Sequence, residues 1–306
     1  MPTPIETAYR ALQVAGGSLL ADRSLDPLLI ACVRESLAFL ADNTRVAMLP
    51  ITSLVPGKDY VTFTHGARSS RAVNTALFVH DVDTVIATLE SVLAGEYPED
   101  PTELHQALYT AAISYPAARD ITATGDQKSP GTFLELLVAH LVSTTFGVRP
   151  SRQISVPTLD LELTIPTDFV FDLGPEKSRI HLPIKASTRE RVIQVWAHQR
   201  VLDGMHGVNR FRGLLVVLAE TNRKLSNNTV TEVCLPAQWT AYQMYIAQLH
   251  RVYYFDVPDK YRKLRDTYPF LEVKPFADFF YEHAEIAQPN LAIDSAVDES
   301  LDDAVS

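Results

Sequence analysis

The stretch that decides the fold reads IPTDFVFDL at residues 165–173 and, after the link GPEKSR, IHLPIKASTRERVIQVWAHQRVLDG at residues 180–204. The first part is rich in aromatic and β-branched residues and predicts a strand. Glycine and proline in the link predict a turn, so residues 180–185 form a second strand paired with the first as a hairpin. The residues that follow predict a helix that opens on the charged triplet Arg189-Glu190-Arg191.

An acidic and a basic side chain stand at the ends of these two predicted strands. Asp168 opens the first strand, where a ligand can reach it, and shares a strand face with Asp172 near the turn. Lys185 closes the second strand, and an antiparallel hairpin brings it close to the level of Asp168. A lysine alone at a strand end is usually only solvated. With a carboxylate beside it, the pair suits phosphodiester cleavage. The carboxylate can bind Mg²⁺ next to the substrate phosphate, and the lysine can orient the attacking water and offset negative charge.

A third charged candidate, Glu135, lies in a predicted helix over residues 131–146 whose other residues are largely apolar. A glutamate in a helix usually faces solvent. Its neighbours in helical projection, Ala139 and Val142, are apolar, so solvent exposure is not the natural interpretation here. A buried carboxylate needs a partner, and a metal ion or a lysine would serve.

The rest of the chain predicts a mixed α/β fold. FRGLLVVLA at residues 211–219 is typical of a central strand covered on both faces. Helical and β-like segments alternate around it, which indicates a mixed central β-sheet flanked by helices. Helices are predicted over 5–22, 25–42, 69–79, 82–94, 101–114, 237–250, 259–265 and 275–282, and further strands over 46–55, 60–64, 153–156, 161–164, 229–235 and 252–255.

The net charge of −10 argues against non-specific nucleic-acid binding, but the charge is unevenly distributed. Residues 285–306 carry only acidic charges and predict a solvated tail. Residues 177–200 instead concentrate basic side chains. Cys32 and Cys234 are far apart and predict buried free thiols, and no secretory signal or apolar run of membrane-spanning length is present. We therefore expect a cytoplasmic protein that does not contact a membrane.

Three segments together resemble the core of the PD-(D/E)xK nucleases. The helix SPGTFLELLVAHL has a glutamate where the family has one near its metal site, PTDFVF resembles the Pro-Asp strand, and IKASTRERVIQVW resembles the lysine strand with a charged triplet after it. The resemblance is greatest to type II restriction endonucleases that cut CCGG or CCNGG targets, the group that includes NgoMIV and EcoRII. It covers roughly residues 128–204.

The resemblance implies a prokaryotic, Mg²⁺-dependent type II restriction endonuclease that acts on double-stranded DNA as a homodimer, with a companion DNA methyltransferase. We expect residues 1–284 to form one nuclease domain, with the catalytic core at about 128–236 and a helical part at 1–120. Asp168 would hold the metal ion, and Lys185 and Glu135 would complete the catalytic site.

Two departures from the family pattern concern the metal site. The residue two before the lysine is acidic in the generic motif and is Pro183 here. The CCGG group commonly replaces that acid with a glutamate from the following helix, thirteen or fourteen residues past the lysine. Here those positions are His198 and Gln199, which can bind a metal ion or a water but carry no negative charge. We expect one metal ion held by Asp168, with Glu135 and either Gln199 or His198 assisting.

The triplet Arg189-Glu190-Arg191 suits the recognition of G·C pairs. Arginine can bond O6 and N7 of guanine together, and glutamate can accept from the N4 amine of cytosine. A charged triplet at a helix start is more often a surface ion-pair cluster. Its position four residues past Lys185 favours DNA recognition.

Two other functions fit the same residues. A repair or recombination nuclease would keep the fold and read DNA structure rather than sequence. A catalytically inactive DNA-binding or protein-interaction domain would explain why no acid is present at His198 and Gln199.

Overall fold

The computed structural model describes residues 3–123, 125–126, 128–155, 164–189 and 192–288, without the side chains of residue 155 and residues 164–168. The helices are α1 Pro4–Leu19, α2 Asp26–Ala41, α3 Val82–Ala94, α4 Pro101–Thr122, α5 Lys128–Phe146, α6 Val192–His206, α7 Pro236–Tyr245, α8 Asp259–Arg262, α9 Leu264–Thr267 and α10 Phe279–Ile286. The strands are β1 Ala47–Ser53, β2 Tyr60–His65, β3 Arg68–Ser69, β4 Val73–Asn74, β5 Ser151–Ser155, β6 Thr164–Phe171, β7 Arg179–His181, β8 Ile184–Lys185, β9 Phe211–Val217, β10 Thr221–Lys224, β11 Thr229–Glu232, β12 Arg251–Tyr254 and β13 Val273–Pro275.

A mixed sheet in the order β13-β12-β9-β7-β6-β5 forms the centre of the molecule, with β8 also paired to β9. Strands β7, β8, β9, β12 and β13 run parallel, and β5 and β6 pair antiparallel at one side. The side chains of β9 from Leu214 to Val217 are fully buried, because the sheet is covered on both faces. The central strand and the mixed α/β architecture are as predicted.

The predicted hairpin forms, and Pro183 divides its second strand. Val170 pairs with His181, and the Leu182 N–H donates to the Phe169 carbonyl at 2.8 Å. Proline has no N–H for the ladder, so β7 ends before Pro183 and β8 begins after it. The Pro183 carbonyl still accepts from the Val216 N–H at 3.0 Å, and this bond keeps the segment on the sheet.

Two layers of helices cover the central sheet. Helices α4 and α5 pack on the face that includes Phe169, whereas α6 and α7 cover the face that includes Val217. Helix α4 begins after Asp100, whose side chain accepts from the Thr102 N–H, and most of its residues are buried. Helix α5 packs against β8 and so brings the predicted helix of Glu135 to the strand of Lys185.

A second sheet, in the order β10-β11-β1-β2-β3 with β4 paired to β2, joins the N-terminal part to a hairpin that follows β9. Its strands β1 and β11 pair in parallel through Thr52 and Thr229. The part at 1–120 contains four strands, of which β1 and β2 lie where strands were predicted. The pairing of β1 with β11 was not predicted.

The structure corrects one predicted element. Residues 69–79 form β3 and β4 rather than a helix, because the Ser70 and Asn74 N–H groups bond to the Phe63 carbonyl and the Tyr109 hydroxyl. The central sheet extends beyond the predicted core of 128–236, since parallel strands require long connections and β12 and β13 follow such connections. Helix α10 continues past residue 284 to the buried Ile286, while residues 289–306 of the predicted tail lie outside the described residues.

Both cysteines are free, with Cys32 buried and Cys234 half-buried, and burial raises the pKa of each thiol. In the described ranges no helix combines the length and the apolar character needed to cross a bilayer.

Candidate active site

Lys185 lies at the end of β8, where the parallel strands of the sheet finish. It pairs with Val217, and its carbonyl accepts from the Leu218 N–H at 3.0 Å. Its side chain is half-buried. Carboxyl ends of parallel strands are where α/β sheets place ligand sites, so this position can present the ammonium group to a substrate.

The backbone of residue 168 lies beside this strand end. The pairing of Val170 with His181, continued through the Phe169–Leu182 hydrogen bond, sets residue 168 level with Pro183, two residues before Lys185. The hairpin thus brings the two predicted positions together at the level of the main chain. The side chain of Asp168 lies outside the described residues.

Strand β6 is irregular at this position. Its register with β5 shifts between Ser151 and Gln153, which pair with Val170 and Pro166. One residue of β5, Arg152, is therefore opposite the three residues 167–169. Such bulges bend a strand and redirect its side chains, and they are common beside active sites.

Arg152 contacts two parts of the predicted site. Its guanidinium Nη2 lies 3.6 Å from Oε2 of Glu135, and its Cζ lies 4.4 Å from the centre of the Phe169 ring. The Glu135 side chain is 34% exposed, so the carboxylate is accessible as well as paired. A guanidinium at this distance attracts the Glu135 carboxylate, so Arg152 links β5 to α5.

Gln199 occupies a different environment from that of Lys185. Its amide Nε2 donates to Asp203 Oδ1 and to the Phe211 carbonyl, and its Oε1 lies 3.2 Å from His181 Nδ1. A Cβ added at Gly213 would meet Oε1 at 2.7 Å, so Gln199 is level with Gly213.

Lys185 is four residues further along the sheet than Gly213, at Val217, which corresponds to about 13 Å at the rise of a parallel strand. His198 is half-buried, with its ring centre 6.4 Å from that of His181. The main chain therefore does not bring His198 and Gln199 level with Lys185. The buried amide of Gln199 is already occupied by polar partners in the helix and the sheet.

The predicted recognition triplet is described only at its first residue. Arg189 is exposed, and its Nη1 donates to Asn222 Oδ1 at 2.9 Å while its Nε donates to Ser187 Oγ at 3.3 Å. Glu190 and Arg191 lie outside the described residues. Just before Arg189, the main chain is held by the buried carboxylate of Glu220, which accepts from the Thr188 N–H.

A cleft of about 400 Å³ opens beside this segment, between the start of α5 and the residues that follow β9. Arg189 lines it together with Arg71 and Arg223. Arg71 makes two ion-paired hydrogen bonds to Asp120, at 2.8 and 3.0 Å. Among the described contacts Arg189 bonds neutral oxygens through Nε and Nη1, so its Nη2 group is available to donate to a ligand in the cleft.

The donor set suits Mg²⁺ bound with a substrate. Among the described side chains, no group of three or more His, Cys, Asp or Glu residues is arranged to hold a metal ion. The side chain of Asp168 is not one of these. Mg²⁺ typically uses one or two protein carboxylates and takes its other ligands from water and substrate phosphate. Glu135 and Asp168 would supply that number of carboxylates, so residues of these types fit the ion.

Sequence reasoning missed Arg152, Glu220 and Asn222. Glu220 had a usable signal, because an acid that directly follows the buried strand FRGLLVVLA lies at the same sheet end as Lys185. Arg152 and Asn222 had none, since each reaches its partner through contacts between elements distant in the chain.

Comparison with known proteins gives one strong structural match. No protein-family model and no curated protein matches the sequence. The crystal structure of the type IIP restriction endonuclease Kpn2I is similar to this chain with a TM-score of 0.77 and 20% identity, over 92% of this chain and 96% of that one. A complex of restriction endonuclease PspGI with substrate DNA matches with a TM-score of 0.40 and 14% identity, over 67% and 91% of the two chains. On the first match, the chain has the fold of a restriction endonuclease, with a mixed sheet flanked by helices.

Proposed function

We propose that the protein is a type II restriction endonuclease that hydrolyses phosphodiester bonds of double-stranded DNA at a palindrome containing CC and GG steps. The observation that carries the proposal is the hairpin register, which sets residue 168 two residues from the level of Lys185 in a fold shared with a restriction endonuclease. Arg189, four residues past Lys185, lines a cleft beside that strand end.

Each residue of the site has a chemical task in this proposal. Asp168 and Glu135 would hold Mg²⁺, which when bound polarises the phosphate and lowers the pKa of its water. Lys185 orients the attacking water and offsets negative charge that develops on the phosphate. Arg152 positions the Glu135 carboxylate, because its guanidinium lies 3.6 Å from that group.

Specificity is assigned to the triplet after the lysine. Arg189 and Arg191 would bond guanine edges in the major groove, and Glu190 would accept from a cytosine amine. Each two-bond contact of arginine with guanine contributes roughly 1–3 kcal/mol of discrimination. A palindromic target matches the symmetry of a homodimer, so two copies of the chain would each read one half-site. A companion DNA methyltransferase would protect the same sites in the host chromosome.

The two alternatives predict different products. A repair or recombination nuclease would cut branched DNA irrespective of sequence. A domain without a functional metal site would bind DNA and leave it intact, and the neutral residues His198 and Gln199 are what favour that outcome.

The test is cleavage of plasmid DNA with Mg²⁺, followed by sequencing of the fragment ends. We expect discrete fragments whose ends map to one palindrome with CC and GG steps, and no cutting in EDTA. Smeared products or cutting confined to branched DNA would favour a repair nuclease. Selective binding without cutting at any Mg²⁺ concentration would favour the inactive domain.

A further inference from the structure

The chain segments that leave β8 and β9 stay side by side beyond the end of the sheet. The Leu218 N–H donates to the Lys185 carbonyl at 3.0 Å, and the Ala219 N–H donates to the Ala186 carbonyl at 3.2 Å. The pairing therefore continues from the lysine toward the predicted recognition triplet. The residues after β9 are in position to fix the conformation of the residues after β8.

Glu220 holds the main chain directly before the triplet. Its side chain is buried, with the whole residue 1% exposed. One oxygen accepts from the Thr188 N–H at 3.0 Å, from the Thr188 hydroxyl at 2.5 Å and from the Tyr254 hydroxyl at 2.7 Å, and the second oxygen lies 3.2 Å from the same N–H.

Burial of a carboxylate costs free energy unless hydrogen bonds compensate for the lost hydration. Burial raises the pKa of Glu220, and the hydrogen bonds from Thr188 and Tyr254 oppose that change by stabilising the ionised form. The three donors belong to two residues, Thr188 after β8 and Tyr254 on β12. Glu220 thus joins Thr188 to the sheet that positions Lys185.

Asn222 contacts the first side chain of the triplet. Its Oδ1 accepts from Arg189 Nη1 at 2.9 Å. Residues 220 and 222 are two apart in an extended segment, so their side chains lie on the same side and meet successive residues, Thr188 and Arg189. Glu220 fixes the main chain at Thr188, and Asn222 orients the guanidinium of Arg189.

We propose that Glu220 and Asn222 are positioning residues that hold Thr188 and Arg189 in the orientation needed for Arg189 to read DNA. This inference rests on the proposed function of the triplet. An arginine that must form two bonds to one guanine loses rotamer freedom on binding, and holding it beforehand reduces that loss. Neither residue takes part in cleavage, so their removal should change recognition rather than the chemical step.

The experiment compares the wild type with Glu220→Gln, Asn222→Ala and Arg189→Ala, and uses Asn227→Ala as a matched control. Asn227 lies in the turn between β10 and β11, where its side chain accepts only a local bond from Thr229 among the described contacts. Affinities are measured by titration in Ca²⁺, without Mg²⁺, with a duplex that carries the mapped cleavage site and with a scrambled duplex of equal length.

We expect Asn222→Ala and Glu220→Gln to weaken binding to the cognate duplex roughly 10- to 100-fold, the size expected for a misplaced two-bond contact. Binding to the scrambled duplex should not change, and Asn227→Ala should behave as the wild type on both duplexes. In Mg²⁺, Asn222→Ala should raise KM with kcat largely retained, which a general loss of structure would not produce.

The outcomes separate the inference from the proposed function. If Arg189→Ala loses discrimination while Asn222→Ala and folded Glu220→Gln keep the wild-type ratio of the two affinities, only the inference is overturned. If the wild type itself does not discriminate between the duplexes, the proposed function fails. Asn222 is half-buried and contacts Arg189 from the surface, so its variant tests the inference even if Glu220→Gln does not fold.

Discussion

At the scale of single residues, charges near the sheet are tuned by burial. His250 follows α7 and lies close to two arginines, Arg251 and Arg212. Burial, with the positive charge of these guanidinium groups, lowers the pKa of His250 to about 4. The unfolded chain has the ordinary value near 6.5 and therefore binds more protons than the folded chain between these two pH values.

The stability that His250 contributes decreases as the pH falls. The folded-state pKa is depressed, so the contribution of His250 to stability is complete above pH 6.5 and is lost as pH falls toward 4. We expect the free energy of unfolding of the wild type to drop relative to His250→Gln over this window, by up to about 3 kcal/mol before the partial exposure of the ring is considered. Urea titrations of both proteins at several pH values measure the difference. Parallel pH profiles would contradict the assignment.

At the scale of elements, the contact between α6 and β9 depends on a missing side chain. A Cβ at Gly213 would lie 2.7 Å from both Gln199 Oε1 and Leu249 Cδ2. Glycine within a strand commonly marks such a close approach. The bond from Gln199 Nε2 to the Phe211 carbonyl forms because the helix can come this near to the strand.

Gly213→Ala should therefore destabilise the protein by about 1–3 kcal/mol, the usual cost of overpacking. Gly17 in α1 is the matched control, because no heavy atom lies within 4 Å of a Cβ added there. Gly17→Ala should stabilise by about 0.5–1 kcal/mol through helix propensity. Thermal unfolding measures both. An unchanged melting temperature for Gly213→Ala would mean that helix and strand are farther apart than described.

The sequence predicted those elements that are determined by local pattern. The apolar run before Glu220 predicts β9, and the hairpin around Lys185 follows from alternation and turn residues. Residues 69–79 were predicted as a helix, whereas Ser70 bonds to Phe63 in the neighbouring strand β2 and Asn74 bonds to Tyr109 in α4. Local propensity cannot anticipate such partners.

At the scale of the whole molecule, a buried charge cluster ties the second sheet to the central one. Lys58 Nζ lies 2.7 Å from Glu232 and 2.7 Å from Asp256, and donates to the Val257 carbonyl at 2.8 Å. The exposed fraction of the side chain is 12% for Lys58, 7% for Glu232 and 2% for Asp256. Burial alone would lower the pKa of Lys58, but Asp256 and Glu232 raise it, so the lysine stays charged.

Removal of the lysine leaves two buried carboxylates without their cation. We expect Lys58→Met to lower the free energy of unfolding by about 3–5 kcal/mol, whereas Lys263→Met on the exposed α8–α9 junction should change it by less than about 0.5 kcal/mol. Chemical denaturation of both variants provides the measurement. Equal stabilities would show that the cluster does not join the two sheets.

The same scale limits what the sequence reveals of the site. The pattern predicted Asp168, Lys185 and Arg189 as site residues, because their spacing follows one hairpin and one helix start. It did not identify Arg152 or Asn222, which meet Glu135 and Arg189 only when separate elements pack together. Spacing placed Gln199 and His198 in the site, whereas the packing of α6 sets Gln199 level with Gly213 rather than with Lys185.

The most direct test of the central claim is plasmid cleavage by Lys185→Ala, measured with DNA binding and compared with Lys177→Ala. Lys177 is an exposed lysine in the turn of the same hairpin, so it controls for the loss of one positive charge. We expect Lys185→Ala to cut roughly 10²- to 10⁴-fold more slowly while it still binds the cognate duplex, and Lys177→Ala to cut as the wild type does. Cleavage by Lys185→Ala at the wild-type rate would contradict the assignment of the active site to this strand end.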